Sequence, residues 1–164
     1  MNATDALFES WDRQCGIVAA LAGRVNETNK HFKPSEDGWP LSRQLAHLHK
    51  TRAYHLAALD PERVAQLPEL YRRGWEDPVE DLEMIRQALD ESTIAVREVI
   101  QKALEEGVQQ KGGYDHPVLC LQHLIWHEGW HVGLIFLALR LAGQEIPDEW
   151  EEANVWQKWR IEEW

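Results

Sequence analysis

The chain has 164 residues, 44% of them apolar and 27% charged, with a formal net charge of −11; that is enough for one hydrophobic core, and a single domain over 1–164 is expected. So acidic a surface repels phosphate backbones and shows no basic patch with interleaved aromatics, which excludes nucleic acid as an expected partner. No run approaches the ~18 apolar residues of a membrane span, and the first twenty residues lack the basic start and apolar stretch of a signal peptide, so no membrane partner is expected and the cytoplasm is the expected location.

In chain order, Leu7, Phe8, Trp11, Cys15, Val18, Leu21 and Val25 recur at spacings of three and four, which predicts a first helix over about 4–29. Pro34, Gly38 and Pro40 break the pattern. Leu41, Leu45, Leu48, Leu56 and Leu59 predict a second helix over about 40–59. Pro61, Pro68, Gly74 and Pro78 make 60–77 an irregular connection with room for one helical turn. Asp77-Pro78-Val79-Glu80 reads as a helix start, with a capping Asp, Pro at the first position and Glu three residues after the cap. That third helix is expected to end at Gly107. A loop at Lys111-Gly112-Gly113 precedes a fourth helix over about 116–142, closed by Gly143. Asp148-Glu149-Trp150-Glu151 repeats the capping pattern and predicts a short fifth helix. No β-type alternation, repeat or linker interrupts the series. The expected fold is all-α, an up-down four-helix bundle with a short C-terminal helical appendage.

Nine tryptophans are present, and Trp150, Trp156, Trp159 and Trp164 crowd the last fifteen residues. A solvated tail would not carry them, so the C-terminus is expected to fold back onto the body or onto a partner. Cys15 and Cys120 form no C-x-x-C pair and read as reduced core thiols.

His127 and His131 stand one turn apart, so both imidazoles leave the same side of the fourth helix and can reach one metal ion. They share an apolar stripe with Cys120, Leu124, Leu134, Ala138 and Leu141. Leu121, Ile125, Val132, Ile135, Phe136 and Leu139 cover much of the other side, and a helix apolar nearly all round must be covered nearly all round. Either the C-terminal segment or a second copy of the chain is expected to do this, and a homodimer is the partner state expected. A third imidazole must come from a facing helix. His47 lies on a polar strip with Gln44, Thr51, Tyr54 and Ala58, whereas His49 lies nearer the leucine stripe, and periodicity does not choose between them.

His127-Glu128-Gly129-Trp130-His131 also matches H-E-x-x-H, in which Glu128 would be the general base of a zinc peptidase. The longer peptidase pattern fails at Leu134 and Leu137, and no strand is available to align an extended peptide. Glu128 reads as a solvated helix residue in preference to an acceptor that orients a ligating imidazole. His123, one turn before His127, reads as a polar neighbour rather than a ligand, and His31, His55 and His116 as surface or cap residues. Trp126 and Trp130 read as packing.

Trp39-Pro40-Leu41-Ser42-Arg43-Gln44-Leu45-Ala46-His47-Leu48 resembles the W-S-x-x-E-x-L-x-H-L segment of the DinB/YfiT-like metal-binding bundle proteins, which are distinct from the DNA polymerase of the same name. His127-x-x-x-His131-x-Gly133, followed by Gly143 and Pro147, resembles that family's second signature. The resemblance implies a four-helix bundle, frequent dimerisation, and a metal site whose ligands here are His47, His127 and His131. Lys50 and Arg52 stand where relatives often carry acids, and Leu134 where they often carry Gln, so the substrate is not carried over.

Three ligands with positions left open suit a catalytic rather than a structural site. Imidazoles accept zinc, nickel, iron, cobalt or manganese, with zinc or nickel expected first. The resemblance implies a thiol S-transferase acting on a small electrophilic molecule with a low-molecular-weight thiol. A metal-dependent hydrolase and a non-catalytic metal- or ligand-binding stress protein are the alternatives. Tyr54, two turns beyond His47, and Glu128 are the candidate catalytic residues.

Overall fold

A computed structural model describes residues 1–108 and 113–160. The loop residues Lys111 and Gly112, and Trp164, lie outside the described residues. The elements are α1 (Ala3–Ala22), α2 (Leu41–Leu56), the single turn α3 (Pro61–Val64), β1 (Tyr71–Arg73), β2 (Glu76–Pro78), α4 (Leu82–Glu105), α5 (Pro117–Leu141), α6 (Asp148–Asn154) and a 3₁₀ turn at Trp156–Lys158. Among the described residues the fold is all-α but for one small hairpin, which the sequence did not announce.

α1 starts on a reciprocal cap, in which Asn2 accepts from the Asp5 amide and Asp5 accepts from the Asn2 amide. Its last residue is Ala22, seven residues before the predicted end, and Gly23 caps it. Beyond it, Asn29 accepts from the Asn26 amide and donates to the Arg24 carbonyl, a set of local bonds that competes with continued helix. Val25 stays buried, but as part of this turn.

The predicted start of the third long helix is displaced by four residues. Pro78 pairs with Tyr71 in the hairpin and the Val79 amide donates to the Leu70 carbonyl, so Asp77-Pro78 closes a strand pair. Asp81 is the cap, its carboxylate accepting from the Glu83 and Met84 amides. The two-residue hairpin loop opens at Gly74 with φ 56°, a left-handed conformation that costs glycine nothing. Each three-residue strand is too short to display a period of two, which is why the pattern gave no sign of them.

The helix ends match the sequence more closely. Gly107 (φ 65°) and Gly143 (φ 72°) terminate α4 and α5, with backbone bonds from Val108 to the Ala103 carbonyl and from Gln144 to the Leu139 carbonyl. His116 caps α5 by accepting from the Val118 amide, ahead of Pro117. α6 begins at the predicted Asp148, but Pro147 precedes it and no side chain caps it.

α2 packs on α4 and α5, α1 packs on the same two helices, and α4 touches α5. The core forms two apolar clusters. One gathers Val18, Leu21, Leu45, Leu48, Ile85 and Ile135; the other gathers Trp11, Leu56, Val96, Ile100, Leu121 and Leu124. Between them along α2, α4 and α5 lies a buried polar layer that includes His49, Arg52, Ser92, Glu128 and His131. The functional residues predicted from sequence fall in or beside this layer.

The C-terminal segment, as far as residue 160, does fold back. Trp150 packs against Phe136 of α5, with the Arg24 guanidinium 4.9 Å over its ring, and α6 and the 3₁₀ turn contact α1. Among the described residues it covers α5 only in part, and Leu119, Trp126, Leu137 and Leu141 are exposed. Cys15 and Cys120 are buried, and burial pushes the Cys15 thiol up to about 12, so it stays protonated and inert. Among the described residues no helix is long and apolar enough to cross a membrane.

Candidate metal centre

The three histidines His47, His127 and His131 converge, with one potential ligand atom from each lying within 4.8 Å of the others. α2 delivers His47 and α5 delivers the i, i+4 pair. His47 Nε2 and His127 Nε2 stand 3.2 Å apart. Two ring nitrogens at that distance need a proton or a cation between them, and tetrahedral coordination at the usual ~2.0–2.1 Å bond length separates ligating nitrogens by about 3.3 Å.

A chain of hydrogen bonds fixes the third ring. Gln44 donates its amide nitrogen to the Trp39 carbonyl at 3.1 Å, which turns its Oε1 towards His131. That oxygen can only accept, so His131 Nδ1 carries the hydrogen, at 3.2 Å, and the Nε2 lone pair is left for a ligand. Among the described residues His127 Nδ1 is buried without a hydrogen-bond partner, which leaves Nε2 as the productive nitrogen of that ring. Thr51 places its hydroxyl 3.3 Å from His47 Nε2.

All three imidazoles are held neutral. Burial, then the Arg43 guanidinium, pushes His47 down to about 4. Burial, then His47, His123 and His55, pushes His127 down to about 4. Burial, then its two partners, pushes His131 down to about 3. A ligating imidazole must be neutral, so the environment favours the metal-competent form across the physiological range. The donor set, its spacing and its protonation fit a divalent ion.

His49, the alternative left open by periodicity, is turned the other way. Its two ring nitrogens lie 2.9 Å from the Ala88 carbonyl and 2.7 Å from the Pro68 carbonyl, and tie α2 to α4 and to the segment before the hairpin. His123 meets Tyr114 through a hydrogen bond and lies edge-on to His127, a polar neighbour as expected. His55 is half-buried against the rings of Tyr114 and His123, not a plain surface residue.

Glu128 is the largest departure from expectation. It is buried, with 1% of its side chain exposed, and accepts from Arg52 Nε at 2.7 Å. The Arg52 guanidinium also donates to the Leu89 carbonyl at 2.7 Å and to the Ser92 and Thr93 hydroxyls at 3.0 Å, and stacks over Trp11. Glu128 therefore bonds to an arginine inside the helices, and the peptidase reading of H-E-x-x-H loses its candidate base. Tyr54 is 61% exposed and touches Trp75, whose ring lies 5.6 Å from His47.

Three tryptophans surround the histidines. Trp39 is edge-on to His47 at 4.9 Å and near-parallel to His131. Trp75 arrives on the hairpin tip, a position the sequence reading missed because it missed the hairpin. Trp130, read as packing, is 59% exposed. Beside His47 and His131 lies a cleft of about 380 Å³, lined by Trp39, Trp130 and Leu134 and by Pro34, Ser35, Asp37 and Gly38.

A helical protein with three neutral histidines meeting between two long helices, beside an open cleft, is the class that fold and site define. The chain belongs to the DinB family, whose model matches residues 1–160. No curated protein and no solved structure matches it.

Proposed function

We propose that the protein binds one divalent metal ion through Nε2 of His47, His127 and His131 and uses it as an enzyme on a small molecule. The observation that carries this reading is the convergence of the three imidazoles within 4.8 Å. Family membership and the depressed pKa values support it. We take the four long helices as the up-down bundle of the family and the ion as zinc or nickel, with iron, cobalt and manganese as competitors.

A divalent ion with open positions supplies Lewis acidity that ionises a thiol or a water near neutral pH. Thiol S-transfer is the chemistry we favour. The sulfur of a low-molecular-weight thiol forms a bond to an electrophilic carbon, the leaving group departs with the bonding pair, and the thiol proton passes to solvent. The chain's own part is positional. Gln44 orients His131, burial keeps the imidazoles unprotonated, and the cleft beside His47 and His131 admits the reactants. Hydrolysis through the same centre is the second chemistry, and a non-catalytic metal- or ligand-binding role is the alternative from a different class. An open cleft against two of the three histidines favours catalysis over a sealed structural ion.

Elemental analysis of the purified protein beside a His127→Ala/His131→Ala variant tests the reading. Near-stoichiometric metal in the parent and none in the variant is the expected outcome. No metal in the parent after reloading with zinc, nickel, iron and manganese overturns it.

We also infer a homodimer. Leu137 and Leu141 fall within about 40° on one face of α5, towards its C-terminal end, and stay exposed. Sedimentation equilibrium is expected to give twice the chain mass for the parent and the monomer mass for Leu137→Glu; a monomeric parent refutes the inference.

A further inference from the structure

Large indoles are costly to leave in water, and two stand at the cleft beside His47 and His131. Trp39 is 38% exposed and Trp130 is 59% exposed, although each is large enough to serve the core. Neither is free to collapse onto the other. Trp39 comes from the segment before α2; the Arg43 guanidinium lies 4.5 Å over its ring and the ring lies at 16° to that of His131. Trp130 comes from the middle of α5 and leans on Trp126 at 6.1 Å. Both indoles line the same cleft beside the histidines.

The rest of the lining decides what fits there. Leu134 and Pro34 add apolar surface, and the Gln44 side chain is already committed to Trp39 and His131. Among the described residues that line the cleft, Asp37 is the one charged side chain, and none is Lys or Arg. Away from the ion, an anionic group would lose its hydration beside Asp37 with no Lys or Arg in the lining to replace it. A flat, uncharged ring loses little hydration and covers both indoles.

We propose that Trp39 and Trp130 form a clamp over the open side of the metal centre, and that it takes the uncharged aromatic or heteroaromatic group of the substrate while Asp37 disfavours anions. The assignment rests on the metal reading above and adds a substrate class to it: a small neutral molecule whose ring lies between the indoles and whose reacting atom lies at the histidines.

The test uses cobalt(II)-loaded protein, whose ligand-field spectrum first reports whether the ion is bound by the histidines. Four thiol probes are then titrated, with the sulfur-to-cobalt charge-transfer band as readout: benzyl mercaptan, cyclohexylmethanethiol, 2-mercaptoethanol and 3-mercaptopropionate. Benzyl mercaptan is expected to bind about tenfold more tightly than the equally bulky cyclohexyl probe, as two aromatic contacts would give, and 3-mercaptopropionate is expected to bind most weakly. Trp130→Ala, at an exposed position, is expected to keep cobalt and its affinity for 2-mercaptoethanol while losing the aromatic preference. Asp37→Asn is expected to raise the affinity for 3-mercaptopropionate alone. Equal binding of the benzyl and cyclohexyl probes, or a preference that survives Trp130→Ala, overturns the clamp and leaves the metal reading standing. Failure to take up cobalt, seen before any thiol is added, overturns both.

Discussion

Arg52 of α2 and Glu128 of α5 meet at 2.7 Å with 1% of each side chain exposed, one residue away from His127. The pair is one of the contacts that bring α2 to α5. Removing one member of a buried ion pair strands the other charge away from water, at about 3–5 kcal/mol. Glu128→Leu is therefore expected to lower the stability of the metal-free protein by that amount in urea denaturation. The double change Arg52→Met/Glu128→Leu is expected to recover most of the loss, because neither charge is then buried. If the double variant is as unstable as the single one, Arg52 owes its place to its other partners.

Metal binding to the folded state alone must raise its stability. With ion at a hundred times its dissociation constant the gain is about 2.7 kcal/mol, or roughly 5–10 °C in Tm for a chain of this size. The parent is expected to show that shift on adding the metal and to lose it on adding chelator. His127→Ala/His131→Ala is expected to melt at the same temperature in both.

Acid should weaken the metal-free fold through the same three imidazoles. Their folded values, about 4, 4 and 3 for His47, His127 and His131, lie below the unfolded value of 6.5. Between those limits the unfolded chain binds more protons than the folded one, so stability falls as pH drops through 6.5 and levels once the folded sites also protonate. His47→Gln/His127→Gln/His131→Gln is expected to show a shallower decline of urea midpoint between pH 6.5 and 4. An unchanged slope would assign the decline to other groups.

Gly38 is built into the rim of the cleft. A Cβ there would stand 2.9 Å from two ring carbons of Pro34 and 3.0 Å from the Ser35 hydroxyl, closer than such atoms pack. Gly38→Ala must displace the loop that carries Asp37 and leads into Trp39. The expected cost is about 1–3 kcal/mol, together with a shift in tryptophan emission that a neutral surface change would not produce. Unchanged emission and stability would show that the rim yields freely.

The sequence made the helices legible wherever apolar spacing, a cap and a terminal glycine agreed, as at α4's end and along α5. It misled where a local signal was used for something else. Asp77-Pro78 carries a cap signature, yet its backbone is spent on the hairpin, and Asp81 does the capping. Spacing brought His127 and His131 together, but choosing His47 over His49 required the family resemblance. The structure gives a physical reason for that choice, because both nitrogens of His49 face carbonyls. Glu128 was misread because a wheel assigns angles and not partners: 100° from His127 is solvent on an isolated helix and the Arg52 side chain here. Trp75 was out of reach, since its role depends on a hairpin of two three-residue strands.

His47 and Arg52 lie five positions apart on α2, about 140° around the helix, and they address the adjacent residues His127 and Glu128 on α5. His49, between them, holds the Ala88 and Pro68 carbonyls. α2 is thus keyed at three angles at once. A one-residue insertion between His47 and Arg52 would rotate everything beyond it by about 100° and uncouple the ion pair from the histidine cluster. Lineages that lengthen or shorten this protein are expected to do so in the turns and tails, and to leave the count from residue 47 to residue 52 unchanged.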